Sequence, residues 1–68
     1  MNWKDHITID PTILVGKPII RGTRISVELV IDLLARGIST EQVLAAYDHL
    51  TKADIEACLA YSHAASHH

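Results

Sequence analysis

The chain contains no Phe, one Trp and two Tyr, so Ile, Leu, Val and Ala must supply most of its buried surface. A single cysteine, Cys58, excludes an intramolecular disulfide and any site built on paired thiolates, which fits a reducing compartment and an expected cytoplasmic location. Glycine and proline are scarce, at three and two residues, which excludes collagen-like and low-complexity classes. No stretch approaches the roughly 20 apolar residues that span a bilayer. The Asn2-Trp3-Lys4-Asp5-His6 start lacks the apolar segment of a signal peptide, so no membrane partner is expected. A chain of 68 residues has room for one domain and little buried area, which disfavours an elaborate enzyme and makes self-association helpful. An enzymatic activity is not expected.

What is present suits a small helical core, with 49% hydrophobic and 21% charged residues. The net charge of -2 is unevenly spread. Lys4, Lys17, Arg21 and Arg24 outnumber Asp5 and Asp10 in the first third, whereas Arg36 and Lys52 face six carboxylates in the remainder. A whole-protein basic footprint for nucleic acid is therefore absent, and contact with a polyanion would be local to the front of the chain.

One domain over residues 1–66 is expected, with short strands and turns over 1–25, three helices over 26–66 and a tail at 67–68. His6-Ile7-Thr8-Ile9-Asp10 alternates polar and apolar residues before Pro11, and Pro18-Ile19-Ile20 follows the turn-like Gly16-Lys17. These predict a two- or three-stranded unit, with Ile13, Leu14 and Val15 covering the core. From Ser26 the period becomes helical: Val27, Val30, Ile31 and Leu34 form a stripe that Leu29 and Leu33 widen. Ser26 is a natural N-cap and Gly37 a natural left-handed stop. Ser39 with Gln42, and Thr51 with Asp54, have the spacing of capping boxes, predicting a short second helix near 40–47 and a third running toward Ala65. With Asp48-His49-Leu50 joining the last two, the outline is a helix-turn-helix. The expected fold is mainly α, a three-helix homeodomain-like bundle preceded by a short hairpin.

The chemistry is concentrated in Gly16-Lys17-Pro18-Ile19-Ile20-Arg21-Gly22-Thr23-Arg24-Ile25, where three cations fall within eight residues. Guanidinium forks suit bidentate contact with carboxylate or phosphate. The plainer reading is a solvated hairpin, or arginines paired with Glu28 and Asp32 on the first helix. The segment is no P-loop, because the preceding glycine and following Ser/Thr are missing. His63 and His67 stand four apart on the last helix, yet no third ligand lies near, so neither metal nor cofactor is expected. His49 fits a backbone hydrogen bond in the helix-helix turn, and His6 a structural or exposed place at a strand edge. Ser26, Ser39 and Thr51 are explained as caps, Asp10 as a turn residue and Cys58 as a small buried hydrophobe. No catalytic constellation emerges.

Ile9-Asp10-Pro11, the Gly16-to-Ile25 block and Tyr47-Asp48-His49-Leu50-Thr51 together resemble the signature of a small prokaryotic domain of formally unknown function. Its members are regarded as antitoxin-like, similar to VapB-type antitoxins, and are often encoded beside PIN-like ribonuclease toxins. The likeness spans almost the whole chain and implies a homeodomain-like helical part. This sequence departs from the pattern at Val15, where a second glycine is usual, and at Ser26 and Asp48, where proline is usual. The resemblance implies an antitoxin that binds and neutralises a PIN-like ribonuclease, with regulation of its own operon as a further expected role. Its contact residues would be Lys17, Arg21, Thr23 and Arg24. A DNA-binding helix-turn-helix regulator and a dimerisation module without independent activity are the alternatives. Short strands with open edges and a small core favour a homodimer. The acidic second and third helices leave only weak DNA binding for the free protein.

Overall fold

The computed structural model describes residues 2–66. A 3-10 turn over Trp3–Asp5 leads into strand β1 (Ile7–Ile9), and a loop containing a second short turn, Leu14–Gly16, returns the chain as β2 (Pro18–Ile20). Three helices follow: α1 (Val27–Ala35), α2 (Thr40–Ala46) and α3 (Lys52–Ser66). The strands pair antiparallel, with Ile7 opposite Ile20 and Ile9 opposite Pro18. Pro18 can head β2 because its missing N–H falls where the strand begins. No third strand forms among the described residues; one bridge between Ile19 and Ser26 closes that edge.

Alternation along the hairpin decides which side chains meet the helices. Ile7 and Ile20 face inward and join Val27 and Val30 of α1, Val43 of α2, and Ile55 and Cys58 of α3 in one cluster. Burying a side chain of the Val or Ile class stabilises by about 1.5–3 kcal/mol, so this cluster fastens a hairpin too small to persist alone. Thr8 and Ile19 fall on the opposite side of the pleat. Ile19 is nevertheless buried, outside the main cluster.

Each helix begins at a side-chain cap. Ser26 Oγ accepts the Leu29 N–H at 3.0 Å. Ser39 and Gln42 satisfy one another's backbone donors in a full capping box. Thr51 and Asp54 repeat the device, with Thr51 N–H to Asp54 Oδ2 at 3.0 Å and Asp54 N–H to Thr51 Oγ1 at 3.2 Å. α1 stops because Gly37 takes φ +90° and lets Gly37 N–H reach Leu34 O while Ile38 N–H reaches Leu33 O, both at 3.1 Å.

Two expectations about apolar positions are corrected. Leu14 and Val15 do not cover the core: Val15 is 96% exposed and Leu14 40%. The short return to Pro18 forces Leu14, Val15 and Gly16 through three successive left-handed conformations (φ 51°, 56° and 78°), which turns the two side chains outward. Leu29 likewise leaves the buried stripe, because the hairpin and α3 lie against the other flank of α1 and it is 37% exposed.

A left-handed backbone costs an L-residue roughly 1–2 kcal/mol, and Val15 gains no packing in return. In dilute solution Val15→Gly is expected to raise the stability measured by urea unfolding by up to about 1 kcal/mol, since glycine's larger unfolded-state entropy offsets part of the relief. Gly37→Ala, in open space but at positive φ, is expected to lower it by about 1 kcal/mol.

Candidate partner-binding site

The turn after β2 is built around Gly22. Thr23 N–H closes onto Ile20 O at 3.0 Å with Gly22 at φ +81°, the third-position glycine of a type II turn. Thr23 is spent on the same turn: its hydroxyl donates to Ile20 O at 2.8 Å and accepts from Ile25 N–H at 3.0 Å. Arg21 and Arg24 are left as the exposed arms of this turn.

Their environments differ. The Arg21 guanidinium reaches back to the first 3-10 turn, donating from Nη2 to Lys4 O at 3.1 Å and from Nε to Asp5 O at 3.3 Å. These carbonyls orient the fork without cancelling its charge. Arg24 makes no hydrogen bond or ion pair with any described residue. Neither arginine pairs with Glu28 or Asp32, the simplest alternative suggested by the sequence. Those carboxylates are taken by Lys17, at 3.7 Å, and Arg36, at 3.1 Å.

Arg21, Thr23 and Arg24 line one side of an open groove of about 690 Å³ that crosses the outer face of the hairpin, with Ile13 and Ile19 among its apolar lining. The wall also carries Asp10. That carboxylate accepts from the Thr12 hydroxyl at 2.7 Å and the Thr12 N–H at 2.9 Å, and these bonds, the hydroxyl's above all, hold it below the usual Asp range. Lys17 does not line this groove; it lies toward α1. The structure therefore gathers three of the four expected contact residues and separates the fourth.

The residue that sequence reasoning missed is His6. Its Nδ1 donates to Asp54 Oδ1 at 2.9 Å across 48 positions of sequence, and its carbonyl accepts the Arg21 N–H at 2.7 Å. His6 thus joins the hairpin, the arginine turn and the start of α3. The available signal was weak: a capping-box Asp uses one carboxylate oxygen and leaves the other for a distant donor. Partial burial of Asp54 opposes its ionisation, but the Thr51 N–H, His6 and the Thr51 hydroxyl together outweigh that effect and lower its pKa.

The other titratable candidates play smaller parts. Among the described residues His49 makes no backbone hydrogen bond through its ring, which stands 3.8 Å from the neighbouring Asp48 carboxylate. Cys58 is fully buried, and burial together with the Asp54 charge pushes its thiol up to about 12, so it stays protonated at neutral pH. The spacing of His63 with His67 ends outside the described residues. Among the described residues no helix is long and apolar enough to cross a membrane.

Because the folded-state pKa of Asp54 lies below its unfolded value of about 3.9, its contribution is fully present above that value and is lost as pH falls through the folded one. Asp54→Ala is expected to cost about 1–2 kcal/mol at neutral pH. The gap to the parent protein should close on acidification below about pH 4, in chemical unfolding followed by circular dichroism.

A family model described as a protein of unknown function, DUF433, matches residues 7–62. A crystal structure of a DUF433 member protein from Anabaena variabilis is similar, with 33% sequence identity and a TM-score of 0.81. The similarity covers 85% of this chain but 57% of that one, so the relative has substantial further sequence. No curated protein matches.

Proposed function

Since the chain belongs to the DUF433 family, whose function is unknown, we propose that it is a small antitoxin-like binding protein that places its arginine turn on the acidic site of a PIN-like ribonuclease. The observation that carries this reading is the pair of guanidiniums on one turn, neither with a carboxylate partner among the described residues, beside a groove with an apolar lining. Lys17 and Arg36 are already paired within the chain. A nuclease that gathers carboxylates around a divalent metal offers the complementary charge, and arginine forks match carboxylates in geometry as well as sign. Arg21 is held for the task by two carbonyls, whereas Arg24 is free to swing onto the partner.

The reading assigns less to nucleic acid. A homeodomain-like helix-turn-helix is the arrangement the sequence suggests for the three helices, but α2 carries no Lys or Arg and α3 carries Lys52 alone, beside Asp54 and Glu56. A recognition helix contacts phosphates and base edges mainly through Arg, Lys, Asn and Gln. The free protein is accordingly assigned weak, salt-sensitive duplex binding through the arginine turn.

The test is calorimetric titration against a PIN-like protein encoded beside this chain. Arg24→Ala is expected to weaken the complex by about 2–5 kcal/mol if the charge pair is buried, while thermal unfolding of the free variant is unchanged. Arg21→Ala should weaken the complex too and also loosen the Trp3–Asp5 segment, read as faster amide exchange there. Unchanged affinity in both variants, or tight sequence-selective DNA binding by the free protein, would overturn this assignment.

A further inference from the structure

Two features stand outside the partner-binding groove, and they adjoin. One is the hairpin tip, where Leu14 and Val15 take left-handed backbone, Leu14 40% exposed and Val15 96% exposed. Exposed apolar groups on strained backbone belong where another surface will cover them. The other is a second groove, about 580 Å³, between α1 and the C-terminal half of α3. Val27, Ile31, Ala35 and Tyr61 give it an apolar lining, and Glu28 and Asp32 stand at its edge.

Their proximity is shown by two links. Pro18, three residues beyond Val15, lines the second groove. Lys17 of the same loop reaches Glu28 on its edge at 3.7 Å. Knob and receptor therefore lie on one continuous patch. Such a patch is self-complementary about a two-fold axis, because the operation that seats one knob in a partner's groove seats the partner's knob in return.

The charges agree with this pairing. From Pro11 to Ile20 the loop and β2 carry a cation, Lys17, and no acid. The receptor edge carries Glu28 and Asp32, whose side chains are 77% and 50% exposed. The exposed Lys17 pair to Glu28 is of the weak surface kind and can exchange between copies at little cost.

We propose that the protein forms an isologous homodimer in which the Leu14–Val15 tip of each copy seats in the α1/α3 groove of the other. This contact is separate from the arginine turn and does not depend on the ribonuclease reading.

Sedimentation equilibrium over the micromolar range tests it with two variants that spare the fold. Val15→Asp sets a carboxylate against Glu28 and Asp32, on a backbone conformation that Asp tolerates better than Val. Ala35→Arg fills the groove from an exposed helical position and keeps helix propensity high. The parent protein is expected at twice the chain mass. Each variant should be monomeric with at least tenfold weaker association and an unchanged circular dichroism spectrum. Mixing the two variants should restore a dimer, because one contact is then native and the other sets the new aspartate against the new arginine. A monomeric parent, a dimeric Val15→Asp variant, assembly beyond the dimer, or a mixture that stays monomeric would each overturn the proposal.

Discussion

The contact between His6 and Asp54 is the polar tie between the two halves of this molecule, added to the apolar cluster beneath the hairpin. Asp54 divides its carboxylate between the Thr51 N–H at the start of α3 and the His6 ring just ahead of β1, so one side chain both starts a helix and anchors a strand. His6 in turn offers its carbonyl to Arg21, and the carbonyls just before it, on Lys4 and Asp5, hold the Arg21 guanidinium. A polar chain therefore runs from the first turn of α3 to the arginine turn. Trp3 adds an apolar tie by setting its ring edge-on to Tyr61, 4.9 Å between centroids. A two-stranded hairpin has little stability of its own, and these contacts tie its front edge to a helix.

The legible and illegible parts of the sequence divide by range. Ser26, Ser39 with Gln42, Thr51 with Asp54, and Gly37 act on backbone groups within five residues, so their spacing alone predicts where the helices begin and where α1 ends. Periodicity also marks β1, β2 and the buried Val27 and Val30 of α1, but not the exposure of Leu29. At Leu14 and Val15 apolar character suggests burial, but the loop must return within a few residues to a proline-headed strand, and its left-handed backbone turns Val15 outward. His6 was invisible for the opposite reason: its partner is remote, and pairing across the fold leaves no local pattern. Within the candidate site, the arginines were legible as exposed charges, but the turn that consumes the Thr23 hydroxyl and the diversion of Lys17 to Glu28 were not.

The hairpin also sorts the chain's uneven charge into separate surfaces. Its outer face carries the arginine turn and the groove containing Asp10, while Lys17 lies toward the carboxylates of α1. The two grooves thus differ in character: one is bordered by guanidiniums, the other by an apolar helix flank with acids at its edge. A domain of this size can present two unlike surfaces because the hairpin is one layer thick, with Ile7 and Ile20 serving the core and Thr8 and Ile19 the far side.

Arg21 is positioned by main-chain oxygens, which has a bearing on how freely the neighbouring sequence can vary. A carbonyl is supplied by every amino acid, so the identities of Lys4 and Asp5 can drift while the arginine keeps its orientation, provided the 3-10 turn that aims those oxygens persists. That turn rests on the Asn2 side chain capping the Lys4 N–H at 3.0 Å and on the Trp3 ring packed against Tyr61. Variation is thus permitted at Lys4 and Asp5, which orient the Arg21 guanidinium through main-chain oxygens alone, and restricted at Asn2, Trp3 and Tyr61, whose side chains hold the turn.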